Sequence, residues 1–465
     1  MSTTIDAPPR SSYWTVNPST DEVVHRRDAW TDEQADAALD RAATAFETWR
    51  RTSVDERVAL FRRMVDVIGS HAQEYGHRNA EEMGKPLKQA VGEVALPQRM
   101  FSYFADNGPR LLAPREAQMA GASRAYTRIE ATGVTLAVEP WNVPAYQAMR
   151  AAAPTLMLGN TILLKPAGLT VNSSLLFDEW FREAGFPEGV YQTALITSDQ
   201  ISRFIADRRV RSVTFTGSDR VGSIIGRQAG EHIKPVVLEL GGSDPFIVLD
   251  SADVQRAAGL AAQIRLGNAG QICVSPKRVI VTDKVADEFI ATYAAVFAGA
   301  KVGDPFDPET TVGPLSSIAA ADELQGLYQD AVDKGATVVV PGGRVDGPGA
   351  FFTPAVLTDI TPEMTIYSEE AFGPLGMIYR VPDADAAIAL ANDTKYGLTG
   401  TVFGEDIEEA TRVAEALETG GVGINRYFGA PIEVPFGGTK ASGVGRELGE
   451  SGMDAYANVK SYIVG

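Results

Sequence analysis

The sequence predicts an α/β protein with a largely parallel sheet, and three observations carry that expectation. From Val134 onward, short β-branched runs alternate with longer helical ones, the pattern of βαβ units. The chain has 465 residues, beyond the size at which a single hydrophobic core stops growing, so two or more packed domains are expected. Hydrophobic residues make up 45% and charged residues 22%, a globular balance without the low-complexity or like-charge runs of extended disorder.

Taken in order, the region before Val134 reads as helical packing elements. Thr31 and Gln34 have capping-box spacing ahead of Ala35, Ala38, Leu39, Ala42, Phe46 and Trp49, which share one helix face. Ser53 and Glu56 repeat the device before Phe61, Met64, Val65 and Ile68, and Gly84-Lys85-Pro86 ends a third helical segment. The alternating block then predicts strands at Val134–Val138, Thr161–Lys165, 211–216, Val236–Glu239, 246–249 and 278–281. Between them the periodicity predicts helices at 146–158, Val171–Glu183, 220–229, Val254–Leu266 and 286–298. Further on it predicts a strand near 336–340, helices near 384–391 and 407–417, and a glycine-rich tail around Gly437-Gly438. No internal repeat and no linker stands out, so a domain boundary rests on Gly241-Gly242, where one alternating block gives way to the next.

Composition narrows the function classes. A formal net charge of −18 disfavours bulk attraction to nucleic acid or an anionic membrane, and an anionic substrate would need a local basic pocket. The opening residues Met1 to Pro9 lack a basic segment followed by an apolar one, and no apolar run is long enough for a bilayer. With one cysteine and no export signal, a cytoplasmic location is expected. The four histidines, His25, His71, His77 and His232, have no ligand spacing, so no metal is expected.

The single cysteine, Cys273, comes after Asn268-Ala269-Gly270-Gln271-Ile272 and precedes Ser275-Pro276, a turn that presents a side chain. Its open roles are packing, metal ligation, redox sensing and nucleophilic attack. In an open parallel sheet ligands bind at the carboxyl ends of strands, so the residues just beyond each run are the candidates for chemistry. Glu139-Pro140-Trp141-Asn142 stands after the first, Lys165-Pro166 after the second, Gly217-Ser218 after the third, and Glu239-Leu240-Gly241-Gly242 at the end of the fourth. Gly217 to Gly222 closes a strand and opens a helix, where backbone N–H groups and the helix dipole favour a phosphate; a plain strand-to-helix turn fits the same residues. Lys165 could reach a phosphate or ribose hydroxyl, or be a solvated surface lysine. Glu239, ending an apolar run, is a structural carboxylate or a base with a raised pKa. Asn142 is an oxyanion donor or a turn residue. Together they supply a thiol, a carboxylate, an amide donor and an anion-binding helix terminus, the complement for covalent oxidation of a carbonyl.

On these residues the chain resembles the aldehyde dehydrogenase superfamily over nearly its whole length. The matching landmarks, in family order, are Pro140-Trp141-Asn142-Val143-Pro144, Lys165-Pro166-Ala167, Phe215-Thr216-Gly217-Ser218, Leu238-Glu239-Leu240-Gly241-Gly242, Gly270-Gln271-Ile272-Cys273, Glu369-Glu370-Ala371-Phe372-Gly373-Pro374 and Pro435-Phe436-Gly437-Gly438. The resemblance implies a Rossmann-like NAD(P)-binding domain (1–114 and 133–240), an α/β catalytic domain (241–440) and a small β oligomerisation flap (115–132 and 441–465). It implies that Cys273 attacks the aldehyde, that Asn142 and the Cys273 N–H stabilise the oxyanion, and that hydride passes to the nicotinamide. Water deprotonated by Glu239 then releases a carboxylic acid. Likewise implied are Lys165 on the adenosine ribose, Ser218 on the pyrophosphate and Glu370 on the nicotinamide ribose. Trp141, Gly217, Leu240 and Phe372 stand around the cofactor, and Phe436 lines the aldehyde tunnel.

Two departures from the family pattern shape the expectation. NAD-preferring relatives often carry glutamate where this chain has Gly168; without that carboxylate a 2′-phosphate is not repelled, so NADP is tolerated or preferred over NAD. The N-terminus is shorter than in many relatives, so a homodimer stands beside the usual homotetramer. Within the superfamily the chain is most similar to the short succinate-semialdehyde dehydrogenases, through the Leu238 to Phe246 stretch and Arg150. Arg150 stands where those relatives carry an arginine for the distal carboxylate, and Arg426 is a second candidate; for each the alternative is a structural ion pair. Residues 427–434, with Tyr427 and Phe428, depart from that pattern and fit a larger or apolar aldehyde as well. The remaining alternatives are a neutral-aldehyde dehydrogenase, a CoA-acylating enzyme, against which the intact Glu239 argues, and a non-catalytic cofactor-binding protein on the same fold.

Overall fold

In the computed structural model of the chain, which describes residues 12–429 and 431–465, both N-terminal capping boxes form. The Gln34 N–H donates to the Thr31 hydroxyl at 3.3 Å, and the Thr31 N–H donates to Gln34 Oε1 at 2.9 Å. Ser53 and Glu56 do the same at 3.2 and 2.9 Å. These caps open helices Asp32–Trp49 and Val54–Ser70. A third helix, Ala72–Met83, stops at Gly84, whose φ of 76° is the left-handed conformation that ends helices on glycine. Two further helices, Leu87–Glu93 and Ala95–Leu111, and an antiparallel N-terminal hairpin, Ser12–Asn17 with Glu22–Asp28, are not among the predicted elements. The hairpin lacks a strong signal because its second strand has no buried residue and is largely polar. Residues 1–11, on which the expectation of no export signal rests, lie outside the described residues.

Two sheets form the body of the molecule. The first is ordered Gly443–Val444, Val236–Glu239, Val210–Thr216, Val134–Val138, Thr161–Lys165, Tyr191–Thr193, parallel except for its antiparallel Gly443–Val444 edge. The second is ordered Thr337–Val340, Ala355–Thr358, Leu375–Val381, Arg278–Thr282, Pro245–Val248, Thr399–Phe403, Gly421–Ile424, parallel except for its first pair. The predicted strands and helices of 134–298 are present, shifted by a few residues at their ends, where side-chain periodicity is a weak guide. The chain passes from one sheet to the other between Glu239 and Pro245, through Gly241-Gly242.

A third, three-stranded antiparallel sheet joins Arg115–Ala117, Arg124–Ala131 and Ala457–Val464. Its outer strand Ala457–Val464 leaves Val459, Ile463 and Val464 about half exposed. Helix Pro144–Leu158 is buried on every side, so it serves as a central post, packed between the N-terminal helices and the first sheet. No helix among the described residues is long and apolar enough to cross a membrane.

Candidate active site

The strand ends of the first sheet and the loops of the second enclose a cleft of about 580 Å³ lined by Trp141, Asn142, Gly217, Ser218, Leu240, Gly241, Cys273, Glu370 and Phe372, among others, a volume suited to a small-molecule ligand. The thiol is presented by an unusual backbone. Asn268 and Ala269 both have φ near 51° and Gly270 has φ 73°, three consecutive left-handed residues. For Ala269 this conformation costs about 1–2 kcal/mol. It is held by a polar frame: the Asn268 N–H donates to Gln89 Oε1 at 2.9 Å, Gln271 Oε1 accepts from the Ser316 N–H at 2.8 Å, and buried Arg265 donates to the Gly270 carbonyl at 3.3 Å and the Ala371 carbonyl at 2.6 Å. A Cβ at Gly270 would lie 2.1 Å from the Gly373 carbonyl oxygen, so only glycine fits.

Burial pushes the Cys273 thiol up to about 11; Lys277 and Arg150 pull it down, while Glu370 and Asp244 push it up. The resting sulfur is therefore a thiol at neutral pH. Its backbone N–H has no acceptor among the described residues. Asn142 lies across the cleft, its Nδ2 donating to the Gln271 carbonyl at 3.0 Å while Asn268 Nδ2 donates to the Asn142 carbonyl at 2.9 Å. An amide nitrogen has two hydrogens, so Asn142 Nδ2 keeps one beyond its bond to Gln271, and Asn142 and Cys273 line the same cleft.

Glu239 ends the strand Val236–Glu239 beside Thr216, and Thr216 in turn neighbours the strand that ends at Val138, just before Glu139. Glu139, Thr216 and Glu239 thus stand in a row across three strand ends. Burial raises the pKa of both carboxyls well above the usual range, and neither has a hydrogen-bonded partner among the described residues. Glu239 is not part of the cleft wall; its Oε1 lies against Gly437, where a Cβ would approach to 2.6 Å.

The structure corrects the expectation for Arg150. Its side chain is 1% exposed, and its Nε pairs with Glu447 Oε2 at 2.5 Å. Its Nη2 donates to Thr216 Oγ1 at 3.0 Å, and its guanidinium lies 5.2 Å from the Tyr146 ring and 4.9 Å from the Phe436 ring. Burial works against the charge, but Glu447, with Tyr146, Glu239 and Glu139, outweighs it and holds the guanidinium protonated. Arg150 is a structural ion pair, the alternative that its sequence context left open, because its counter-ion is already inside the protein. Phe436, expected to line an aldehyde tunnel, is 1% exposed, packs on Arg150 and is not among the residues lining this cleft. Arg426 is exposed and forms no ion pair among the described residues, and it too stands outside the cleft lining. Its neighbour Tyr427 is closer to the chemistry: the phenol donates to the Val274 carbonyl at 2.8 Å, one residue from the thiol.

The cofactor candidates divide into two groups. Trp141, Gly217, Ser218, Leu240, Glu370 and Phe372 line the cleft, with Trp141 and Phe372 edge to face at 5.9 Å. Ser218 caps helix Asp219–Glu231, its hydroxyl accepting from the Val221 N–H at 3.4 Å. A Cβ at Gly241 would fall 2.6 Å from Glu370 Oε2, so the cleft is open there because glycine leaves it open. Lys165 and Gly168 sit apart at the neighbouring strand end, outside the cleft lining. Lys165 lies 5.7 Å from the Tyr13 ring, has no ion pair among the described residues, and burial lowers its pKa to about 8. An unpaired, desolvated ammonium beside a residue with no carboxylate fits an added phosphate. The cleft and this ammonium together fit a dinucleotide. Sequence reasoning missed Lys277 and Arg265, whose partners are visible only once the two sheets are assembled.

Residues 6–462 match the aldehyde dehydrogenase family. The succinate-semialdehyde dehydrogenase [NADP(+)] of Deinococcus radiodurans is 44% identical over 98% of this chain and 95% of its own length. That of Mycobacterium avium is 42% identical over 97% of this chain and 96% of its own. Among solved structures, a Streptococcus pyogenes succinic semialdehyde dehydrogenase in complex with NADP+ superposes with a TM-score of 0.94 at 41% identity, covering 97% of this chain and all of that one. A salicylaldehyde dehydrogenase from Pseudomonas putida G7 superposes at 0.93 with 33% identity, over 99% of this chain and 96% of that one.

Proposed function

The chain belongs to the aldehyde dehydrogenase family, and we propose that it oxidises succinate semialdehyde to succinate with NADP+ as hydride acceptor. The observation that carries the chemistry is the convergence on one cleft of Cys273, Asn142, Ser218 and Glu370, contributed by four separate stretches of chain. The substrate is supported by the near full-length likeness to enzymes named for it. The cofactor is supported by unpaired Lys165 beside Gly168.

In this reading the Cys273 sulfur attacks the aldehyde carbon as its proton leaves, and the oxygen's growing charge is met by Asn142 Nδ2–H and the Cys273 N–H. Ser218 and its helix hold the pyrophosphate, Glu370 a ribose, and Lys165 the 2′-phosphate. When bound, the nicotinamide takes the hydride from the former aldehyde carbon. The thioester left on Cys273 is cleaved by water that Glu239 deprotonates, its carboxyl turning from Gly437 toward the sulfur; burial raises the pKa of this group, which makes its carboxylate form a stronger base than an exposed glutamate. Arg426, free of ion pairs among the described residues, is the cation proposed for the substrate's distal carboxylate, and the aromatic pair Tyr427 and Phe428 beside it supports a neutral aromatic aldehyde as the second reading.

Residues 1–114 and 133–240 are proposed as the cofactor-binding unit and 241–440 as the catalytic unit. The half-exposed outer strand Ala457–Val464 supports a role for 115–132 and 441–465 in a homodimer or homotetramer. A reducing, cytoplasmic setting suits the sole cysteine. The test is A340 formation with succinate semialdehyde, a neutral aliphatic and an aromatic aldehyde, each with NAD+ and NADP+. The expected outcome is preference for the semialdehyde and NADP+; turnover of the neutral aldehydes alone sinks the substrate assignment.

A further inference from the structure

Lys277, four residues after the thiol, is 0% exposed, and lysine is almost never fully buried without partners. Its ammonium donates to the Ile272 carbonyl at 2.9 Å and the Cys273 carbonyl at 2.6 Å, and forms an ion pair with Glu370 Oε1 at 3.0 Å. The Phe372 ring stands 5.9 Å away. The Ile272 carbonyl and the Cys273 N–H are opposite ends of one planar peptide, so anchoring that oxygen also fixes the direction of the N–H. Glu370, meanwhile, gives one oxygen to the ammonium and turns the other toward Gly241 and the cleft.

We propose that Lys277 is a positioning residue that clamps the Ile272-Cys273 peptide to Glu370, so that aiming the oxyanion donor, presenting the sulfur and seating a nicotinamide ribose become one event. The proposal rests on the dehydrogenase reading of Cys273 and Glu370. It adds a link between cofactor and nucleophile: a ribose drawn onto Glu370 acts on the same carboxylate that restrains the ammonium, and the ammonium acts on the peptide that carries the thiol. The charged and titratable groups facing Cys273 are Lys277, Arg150, Glu370, Asp244, Tyr146 and Tyr427, so Lys277 is one of two cations there.

The experiment is alkylation of the chain's single cysteine by iodoacetamide across pH, with and without NADP+, in wild type, K277M, K277R and E370Q, alongside kcat and KM. Loss of the ammonium in K277M is expected to raise the alkylation midpoint by about one pH unit, slowing labelling roughly tenfold at neutral pH. Its kcat should fall by about 10²–10³, the loss seen when one oxyanion donor is misplaced, and the effect of NADP+ on labelling should vanish. K277R should recover the alkylation profile. E370Q removes a negative charge and should move the midpoint the opposite way, downward, while also abolishing the NADP+ effect. A folded K277M with wild-type labelling and kcat overturns the proposal. Should K277M not fold, E370Q decides, and a midpoint that is unchanged or raised overturns it. Absence of aldehyde turnover in wild type would instead count against the dehydrogenase reading, because labelling needs no turnover.

Discussion

Replacing Arg150 with methionine removes the cation paired with Glu447, in a region that also holds Glu139 and Glu239 with no hydrogen-bonded partners among the described residues. Glu447 keeps hydrogen bonds from Thr214 and Tyr456, each at 3.2 Å, but they do not neutralise it. Breaking one side of a buried ion pair costs about 3–5 kcal/mol. For a cooperative unit of 150–250 residues each kcal/mol lowers Tm by about 2–4 °C, so a fall of roughly 6–20 °C is expected by scanning calorimetry. Because the guanidinium serves the protein and not the substrate, kcat/KM should fall by a similar factor for succinate semialdehyde and for a neutral aldehyde. The double variant R150M/E447L, which removes both charges, should regain most of the lost stability, since apolar replacements of buried pairs are often neutral or stabilising. A variant R150M of wild-type Tm, with KM raised more than about tenfold for the semialdehyde alone, would refute the structural role and return Arg150 to the substrate.

Two further outcomes concern the cofactor. At Gly168 a Cβ would meet only Tyr13 Cδ1, at an ordinary 3.6 Å, so G168E should fold; its carboxylate should repel a 2′-phosphate by about 2 kcal/mol, roughly thirtyfold in kcat/KM, tilting preference toward NAD+. Equal effects on both cofactors would contradict that. Burial lowers the Lys165 pKa to about 8, and the ammonium is the form that attracts phosphate. The kcat/KM for NADP+ should therefore decline as pH rises through about 8, with a shallower decline for NAD+; parallel profiles would remove Lys165 from the phosphate.

Local rules make much of this fold legible. The capping boxes at Thr31 and Ser53, the glycine stop at Gly84 and the β-branched runs of the first sheet are decided by neighbours in sequence, and they form as predicted. Cys273 and Asn142 are legible because each sits at a turn signal at the mouth of a strand or loop. Sequence leaves Arg150 open between a substrate anchor and an ion pair because its partner, Glu447, lies near the far end of the chain and enters the core just beyond the Gly443–Val444 edge strand. Lys277 escapes notice because a lysine in sequence looks solvated; only the second sheet's loop carrying Glu370 makes it an interior cation. The left-handed run at Asn268 and Ala269 likewise depends on Gln89, Ser316 and Arg265, anchors whose reach no local pattern reveals.

The measurement that tests the central claim most directly is rapid-quench mass spectrometry of E239Q mixed with succinate semialdehyde and NADP+. The account predicts one equivalent of NADPH formed in a burst and one succinyl group on Cys273 that persists, because the acyl step is intact and the base for its hydrolysis is gone. Steady NADPH production without an adduct, or an adduct on any residue other than Cys273, would contradict it.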